Sequence, residues 1–386
     1  ILVHVRTRKG YGYRPAEADK VGFHGAALPP MPDQAPTVVP ANGRQPNDGE
    51  ATPPADERER RPVPNYTAVM SEELVRIAEE DERVVAITAG MPTGTGVAAF
   101  GQRFPARTFD VGIAEQHAMA MAAGLALAGQ RPFVALYSTF LQRAFDQVVH
   151  DVCQNDTPVV IGIDRAGLVG EDGTSHQGMF TLSALRQLPN LVLAAPRDEQ
   201  QLRHLLRTAF AQEHPFALQY PRDAGFDLPA EEPTPIEVGR GELLREGNDI
   251  LIIGLGPIVA RGLAVADELT ADGWSVAVAD ARFARPLDRD LILEQTRGKR
   301  LIVTLEESVL PGGFGASVLE VLADADDATV FAPLKRIGLP DGAFVDHGSV
   351  TDLRALVRID EAGIRAQIEE AIAAHGLTPA GTPVEA

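Results

Sequence analysis

A single cysteine, Cys153, stands in 386 residues, so no intrachain disulfide is possible. Stability then rests on packing, and the expected compartment is a reducing cytoplasm, where free thiols persist. Cys153 falls in a helix-like run from 141 to 155, where an inert buried thiol is expected. Positive charge is scarce as well: 35 Lys plus Arg oppose 54 Asp plus Glu, a net charge of -19. A field of that sign repels nucleic acid and anionic membranes, so neither is an expected partner, and an anionic substrate needs Arg or Lys supplied locally. No apolar run reaches about 18 residues, which excludes a transmembrane helix. A starting Met is also lacking. Ile1-Leu2-Val3-His4-Val5 reads as a strand followed by the basic turn Arg6-Thr7-Arg8-Lys9-Gly10, so the chain is expected to begin inside a domain and not at a signal peptide.

What is present is apolar material enough for two ordinary domains, 45% of residues, unevenly spread along the chain. Prolines from Pro29 to Pro64 crowd a stretch almost without aromatics, with a charged knot at Asp56-Glu57-Arg58-Glu59-Arg60-Arg61. Such a composition buries no core and reads as an extended linker over 26–62, after a short first segment 1–25. Beyond it, helices alternate with apolar strands. The pattern predicts a helix over 67–80, a strand over 84–89, a strand near Thr108 feeding a helix that starts at Glu115, a strand over 132–137 and a helix over 141–155. Further strands follow at 158–164, 191–195 and 216–220, with a helix over 198–212. A second series has strands at 249–253, 274–280, 301–305 and 329–333 and helices at 258–269, 313–322 and 361–374. The expected fold class is therefore α/β, two doubly wound parallel-sheet domains at 63–235 and 236–376, with a frayed tail at 377–386.

Glu115 opens a helix whose next residues, Ala118 to Ala128, are almost all small or apolar. A helix apolar on every side should be buried, and a carboxylate there tends to stay protonated and to exchange a proton or hydrogen bond with a ligand. The competing reading is a first-turn Glu satisfied by backbone N–H groups and the helix dipole. In a parallel α/β sheet the ligand crevice lies beyond the carboxyl ends of the strands. Three loops there stand out: Tyr137-Ser138-Thr139-Phe140-Leu141-Gln142-Arg143; the glycine-rich Asp164-Arg165-Ala166-Gly167 through Glu171-Asp172-Gly173-Thr174-Ser175-His176-Gln177-Gly178; and Tyr220-Pro221-Arg222-Asp223. Singly, Phe140 reads as core, Arg165 and Arg222 as surface cations, and His176 as a loop histidine. Jointly, two arginines from different loops can grip one phosphate with planar bidentate bonds, and Asp172 with His176 can form an acid/base pair.

These segments, with Val111-Gly112-Ile113-Ala114-Glu115-Gln116-His117, together resemble the 1-deoxy-D-xylulose-5-phosphate synthase family of transketolase-like thiamine diphosphate enzymes. Lys9 through His24 resembles the end of that family's first, diphosphate-binding domain, 63–228 its pyrimidine-binding domain, and the remainder the transketolase C-terminal domain. The resemblance implies condensation of pyruvate with D-glyceraldehyde 3-phosphate on thiamine diphosphate and Mg²⁺, with loss of carbon dioxide, in a homodimer serving isoprenoid, thiamine and pyridoxal synthesis. It implies that Glu115 binds N1′ of the aminopyrimidine, with Phe140 and Ile113 beside the ring. Arg165 and Arg222 would hold the substrate phosphate. Tyr137, Arg143, Asp172 and His176 would line the pyruvate and acceptor pocket, approached by Lys9 and His24.

One departure is the family's Gly-Asp-Gly metal motif and distant Asn, which no strand end here supplies. Asn47-Asp48-Gly49 in the proline-rich stretch is a poor substitute, so no metal ligand is expected in this chain and its activity alone is expected to be nil. Gly254-Leu255-Gly256-Pro257-Ile258-Val259, trailed by Asp280, partly imitates a dinucleotide fingerprint. Val259 at the third glycine position argues for a plain strand-to-helix turn instead. Two rival functions remain at this stage: the β subunit of a 2-oxoacid dehydrogenase, and a non-catalytic dimerisation or regulatory fragment.

Overall fold

The computed structural model describes residues 11–18, 63–229, 231–325 and 331–379, the side chain of Glu171 excepted. The chain divides into two units, Ile1–Arg61 and Pro62–Ala386. The described part of the first forms one short helix, Arg14–Ala18, with the Gly12 N–H bonded to Glu17 Oε1 at 2.9 Å. Lys9, His24 and the proline-rich stretch lie outside the described residues.

The second unit contains two sheets. In chain order its strands are β1 (Val84–Thr88), β2 (Thr108–Asp110), β3 (Arg131–Tyr137), β4 (Val160–Asp164), β5 (Val192–Ala194), β6 (Phe216–Tyr220), β7 (Glu242–Arg245), β8 (Ile250–Gly254), β9 (Val276–Asp280), β10 (Phe283–Arg285), β11 (Leu301–Val309) and β12 (Leu334–Leu339). One sheet runs β10-β5-β6-β4-β3-β1-β2 and the other β12-β11-β8-β9-β7. Pairing is parallel throughout except at one edge of each, where β10 meets β5 and β7 meets β9 antiparallel. Strands β1, β3, β4, β8 and β9 are buried at every position, as continuous apolar strands covered on both faces must be. One core, including Met119, Ile161, Leu193, Leu251 and Phe314, is shared by the two sheets, and further clusters cover their other faces. Asn65 and Asp198 start the Tyr66–Glu80 and Glu199–Ala211 helices by accepting N–H bonds from Ala68 and Gln201 at 2.8 and 2.7 Å, satisfying donors the helices leave open.

Besides elements the sequence pattern did not mark, such as β7 and the Val97–Arg103, Arg289–Thr296 and Val350–Leu356 helices, the structure departs from it at four places. The helix expected over 141–155 is broken into Ser138–Leu141, a 3₁₀ turn at Gln142–Ala144, Phe145–Gln147 and a π-turn at Val148–Cys153. Apolar spacing does not distinguish these turns from continuous α-helix. Of the strand expected over 329–333, residues 329 and 330 lie outside the described residues and 331–333 are in no strand; the strand is Leu334–Leu339, directly after Pro333, which has no N–H and serves only as acceptor, for Ile302. Strand β10 carries residues from beyond 235 into the first sheet through the Ala195 N–H bond to Arg282 O. Finally, the Glu115–Leu127 helix is not buried on every side: Gln116, His117, Ala120, Gly124 and Leu127 are exposed.

Candidate active site

Strands β3, β4 and β6 run parallel in register, so their last residues, Tyr137, Asp164 and Tyr220, lie side by side at one edge of the sheet. The three loops singled out by sequence leave from these points. Arg165, directly after β4, sits in the left-handed region at φ 62°. That turn folds its side chain back over the sheet edge, where its guanidinium lies 3.8 Å from the centre of the Tyr137 ring. Nη1 donates to Gly94 O at 2.8 Å and to Asp164 Oδ1 at 3.1 Å. Asp164 is buried and also accepts the Thr67 hydroxyl at 2.7 Å. Burial pushes its carboxyl up to about 6, against the pull of Arg165 and Thr67. Burial likewise raises the Tyr137 phenol.

The aromatic side chains continue the wall. Tyr137 stacks on Phe140 with ring centres 5.7 Å apart, and His176 meets Phe140 edge-on at 5.3 Å. Arg143 lies 4.9 Å over the other side chain of this pair, Phe140, and donates from Nη1 to Glu115 Oε1 at 2.6 Å. Glu115 is 1% exposed, whereas Ile113 two residues earlier is 83% exposed. The isolated carboxyl expected at Glu115 is therefore an ion pair, made possible by the irregular turn that carries Arg143. On the opposite arm, Asp172 Oδ2 accepts Arg222 Nη1 at 3.0 Å and lies 3.9 Å from Arg165 Nε. His176 Nδ1 is engaged by Ser175 Oγ at 2.9 Å. Asp172 is thus drawn to the two arginines, and the direct Asp172–His176 pairing expected from their spacing is replaced by these separate bonds.

Glu115, Arg143, Phe140, Tyr137, His176, Arg165, Asp172 and Arg222 accordingly form one chain of contacts around the sheet edge, with Ile113 exposed next to Glu115. Lys9 and His24 are outside the described residues. Sequence reasoning missed Thr67, Gly94 and Asp164, which fix Arg165. Asp164 had a signal, a carboxylate ending an all-apolar strand; Thr67 and Gly94 had none, since only the fold brings them there. Also missed were Asp346, whose carbonyl accepts Gln177 Nε2 at 3.0 Å, and Glu307, which accepts the Leu168 N–H at 3.0 Å; both brace the His176 loop.

Residues 63–226 match the family model described as transketolase, pyrimidine binding domain, and 239–364 that described as transketolase, C-terminal domain. The 1-deoxy-D-xylulose-5-phosphate synthase of Heliobacterium modesticaldum is 48% identical over 92% of this chain and 51% of its own length. That of Thermomicrobium roseum is 47% identical over 99% of this chain and 56% of its own. The chain thus spans about half the length of the curated relatives it matches. Among solved structures, a transketolase from Campylobacter jejuni shares the fold, with a TM-score of 0.66 at 18% identity over 80% of this chain and 47% of its own. A chain described as a split-gene transketolase in an inactive β4 tetramer gives a TM-score of 0.70 at 30% identity, over 80% of this chain and 98% of its own. With that chain covered almost end to end and both transketolase domains matched in order, the protein belongs to the transketolase family.

Proposed function

We propose that this chain provides the pyrimidine and acceptor side of an active site that condenses pyruvate with D-glyceraldehyde 3-phosphate to 1-deoxy-D-xylulose 5-phosphate and carbon dioxide. The observation that carries the reading is the convergence of Arg165 and Arg222 on Asp172, at 3.9 and 3.0 Å, on the loop that also sets His176 against Phe140. Two guanidiniums aimed at one acidic oxygen form a receptor for a phosphate, with Asp172 standing where the phosphate would bind. The curated relatives bearing the synthase name support it.

The residues present fit the aminopyrimidine end of thiamine diphosphate: a buried carboxylate at a helix start, a ring wall at Phe140 and an exposed apolar contact at Ile113. Among the described residues no three His, Cys, Asp or Glu side chains converge. On this reading the diphosphate and its Mg²⁺ would be held by the first, diphosphate-binding domain that the resemblance implies, and not by the described residues. When bound, the cofactor supplies the nucleophilic carbon and the electron sink for decarboxylation. Glu115 accepts a hydrogen bond from the pyrimidine ring, and Arg143 fixes the carboxylate's orientation. Tyr137 and Phe140 exclude water from one wall. Arg165 and Arg222 orient the acceptor by its phosphate, and His176, with Nδ1 engaged, keeps Nε2 for moving a proton at the acceptor oxygen. The same reading includes a cytoplasmic homodimer and a product used for isoprenoid, thiamine and pyridoxal synthesis.

The test is an assay of the chain mixed with the N-terminal half of the Heliobacterium modesticaldum relative, Mg²⁺, thiamine diphosphate and both substrates. Formation of deoxyxylulose phosphate is expected. Acyl transfer to a lipoyl domain would instead favour a 2-oxoacid dehydrogenase β subunit, and a folded complex with neither activity a non-catalytic fragment.

A further inference from the structure

The second sheet, to which the sequence assigns no chemistry, reaches both arms of the candidate site through a partly buried ion pair. Glu307 lies in β11, and Arg354 lies in the Val350–Leu356 helix. Arg354 Nε donates to Glu307 Oε2 at 3.0 Å and Nη2 donates to Oε1 at 3.2 Å. Each partner then holds one arm. Glu307 Oε1 accepts the Leu168 N–H at 3.0 Å, at the root of the loop bearing Asp172 and His176. That loop is closed by reciprocal backbone bonds between Gly167 and Gly178 at 3.0 and 2.7 Å. Arg354 Nη2 also donates to the Asp223 carboxylate, the residue next to Arg222. At Gly167, φ is +77° and a Cβ would fall 2.7 Å from Glu307 Oε1, so the loop root and the carboxylate are fitted without slack.

We propose that Glu307 and Arg354 are positioning residues that set the separation between the Arg222 arm and the Arg165–Asp172–His176 arm. The inference rests on the reading above, that Arg165 and Arg222 take the acceptor phosphate. A guanidinium with three fixed bonds to two carboxylates is a rigid spacer, which an ammonium on a flexible stem is not. Other contacts from the second sheet hold the His176 loop: Gln177 Nε2 to Asp346 O at 3.0 Å and the Val309 N–H to Met179 O at 3.1 Å. These tie down one arm; the arms also meet directly, through the Ala166 N–H to Tyr220 O at 3.1 Å and Arg222 to Asp172 at 3.0 Å, and the Glu307–Arg354 pair braces both from the second sheet. Loss of the pair therefore acts first on the geometry that a phosphate bridging the two arms requires. Pyruvate, which carries no phosphate, is much less sensitive to that separation.

The experiment is steady-state kinetics of the chain assembled with the same N-terminal half, each substrate varied in turn, for Arg354→Ala, Arg354→Lys, Gly167→Ala and Arg222→Ala. For Arg354→Ala we expect the KM for glyceraldehyde 3-phosphate to rise about tenfold, with the KM for pyruvate and kcat within about twofold. Arg354→Lys should recover part of the loss. Gly167→Ala, which pushes on Glu307 from the loop side, should show the same split if the Arg354→Ala chain does not fold. Equal rises in both KM values, or a fall in kcat alone, in the folded variants would overturn the proposal. If Arg222→Ala raises the KM for glyceraldehyde 3-phosphate while Arg354→Ala and Gly167→Ala leave it unchanged, the spacer role fails and the phosphate reading stands. If Arg222→Ala also leaves it unchanged, both fail.

Discussion

The Glu306 carboxyl, fully buried in β11, takes the Ser308 hydroxyl and the N–H groups of Phe314 and Gly315 at 2.7 and 2.8 Å, at the start of the Phe314–Ala323 helix. Burial outweighs these donors and pushes it up to about 7 from its ordinary 4.5. Between those values the folded chain keeps a proton that the unfolded chain has lost. The stability this group contributes is therefore complete below about pH 4.5 and falls as pH rises toward about 7, by at most about 1.4 kcal/mol per pH unit. Asp164, held up to about 6 by burial, slopes the same way over a narrower window. Carboxylates held low by arginine bonds, such as Glu320 with Arg186, slope oppositely. The prediction is thus a difference: urea unfolding of Glu306→Gln measured across this pH range should show a flatter decline than the parent chain, whatever its absolute stability. Parallel curves would mean that Glu306 is ionised in the fold.

At the scale of elements, the Glu115–Leu127 helix carries a glycine its own chain does not require. Gly124 is exposed mid-helix, and a Cβ there would meet nothing within 4 Å, yet glycine in a helix costs about 0.5–1 kcal/mol relative to Ala. The same helix leaves Leu127 70% exposed, and the adjoining Ile113 is 83% exposed. An apolar face with a gap for a close neighbour suits a second copy of the helix, as the homodimer reading requires. Gly124→Leu should leave thermal stability of the single chain nearly unchanged while reducing the mass in light scattering from two chains to one; an unchanged dimer would place the interface elsewhere. The helix itself was legible from its apolar run, as were β1, β3, β4, β8 and β9, because a strand buried on both faces has no other sequence solution. Its exposed face was not legible, since Ala118 to Ala128 are almost all small or apolar and composition does not separate an exposed apolar face from a buried one. The turns at Gln142–Ala144 and Val148–Cys153 were hidden for a related reason: they keep helical spacing. Glu307 and Arg354 left no trace, because a pair 47 residues apart in the chain meets only once β11 and the Val350–Leu356 helix are packed.

At the scale of the molecule, the unit Pro62–Ala386 has continuous cores on both sheets, so the chain should fold without any further segment. Its ligand site is a different matter. On the proposed reading Glu115, Arg143 and Phe140 take the pyrimidine end, but a diphosphate needs a hard cation held by several oxygen ligands, and the described residues bring no such group together. A net charge of -19 adds a repulsive field for a free diphosphate, offset locally near Arg165 and Arg222. The chain also spans about half the length of its curated relatives. Together these predict that isothermal titration of the isolated chain with Mg²⁺ and thiamine diphosphate gives no micromolar binding, and that the heat of binding emerges once the N-terminal half of the Heliobacterium modesticaldum relative is added. Micromolar binding, or deoxyxylulose phosphate formed by the isolated chain, would show that it supplies the diphosphate and metal end itself. Residues 1–10 and 19–62 would then be the first place to look for those ligands.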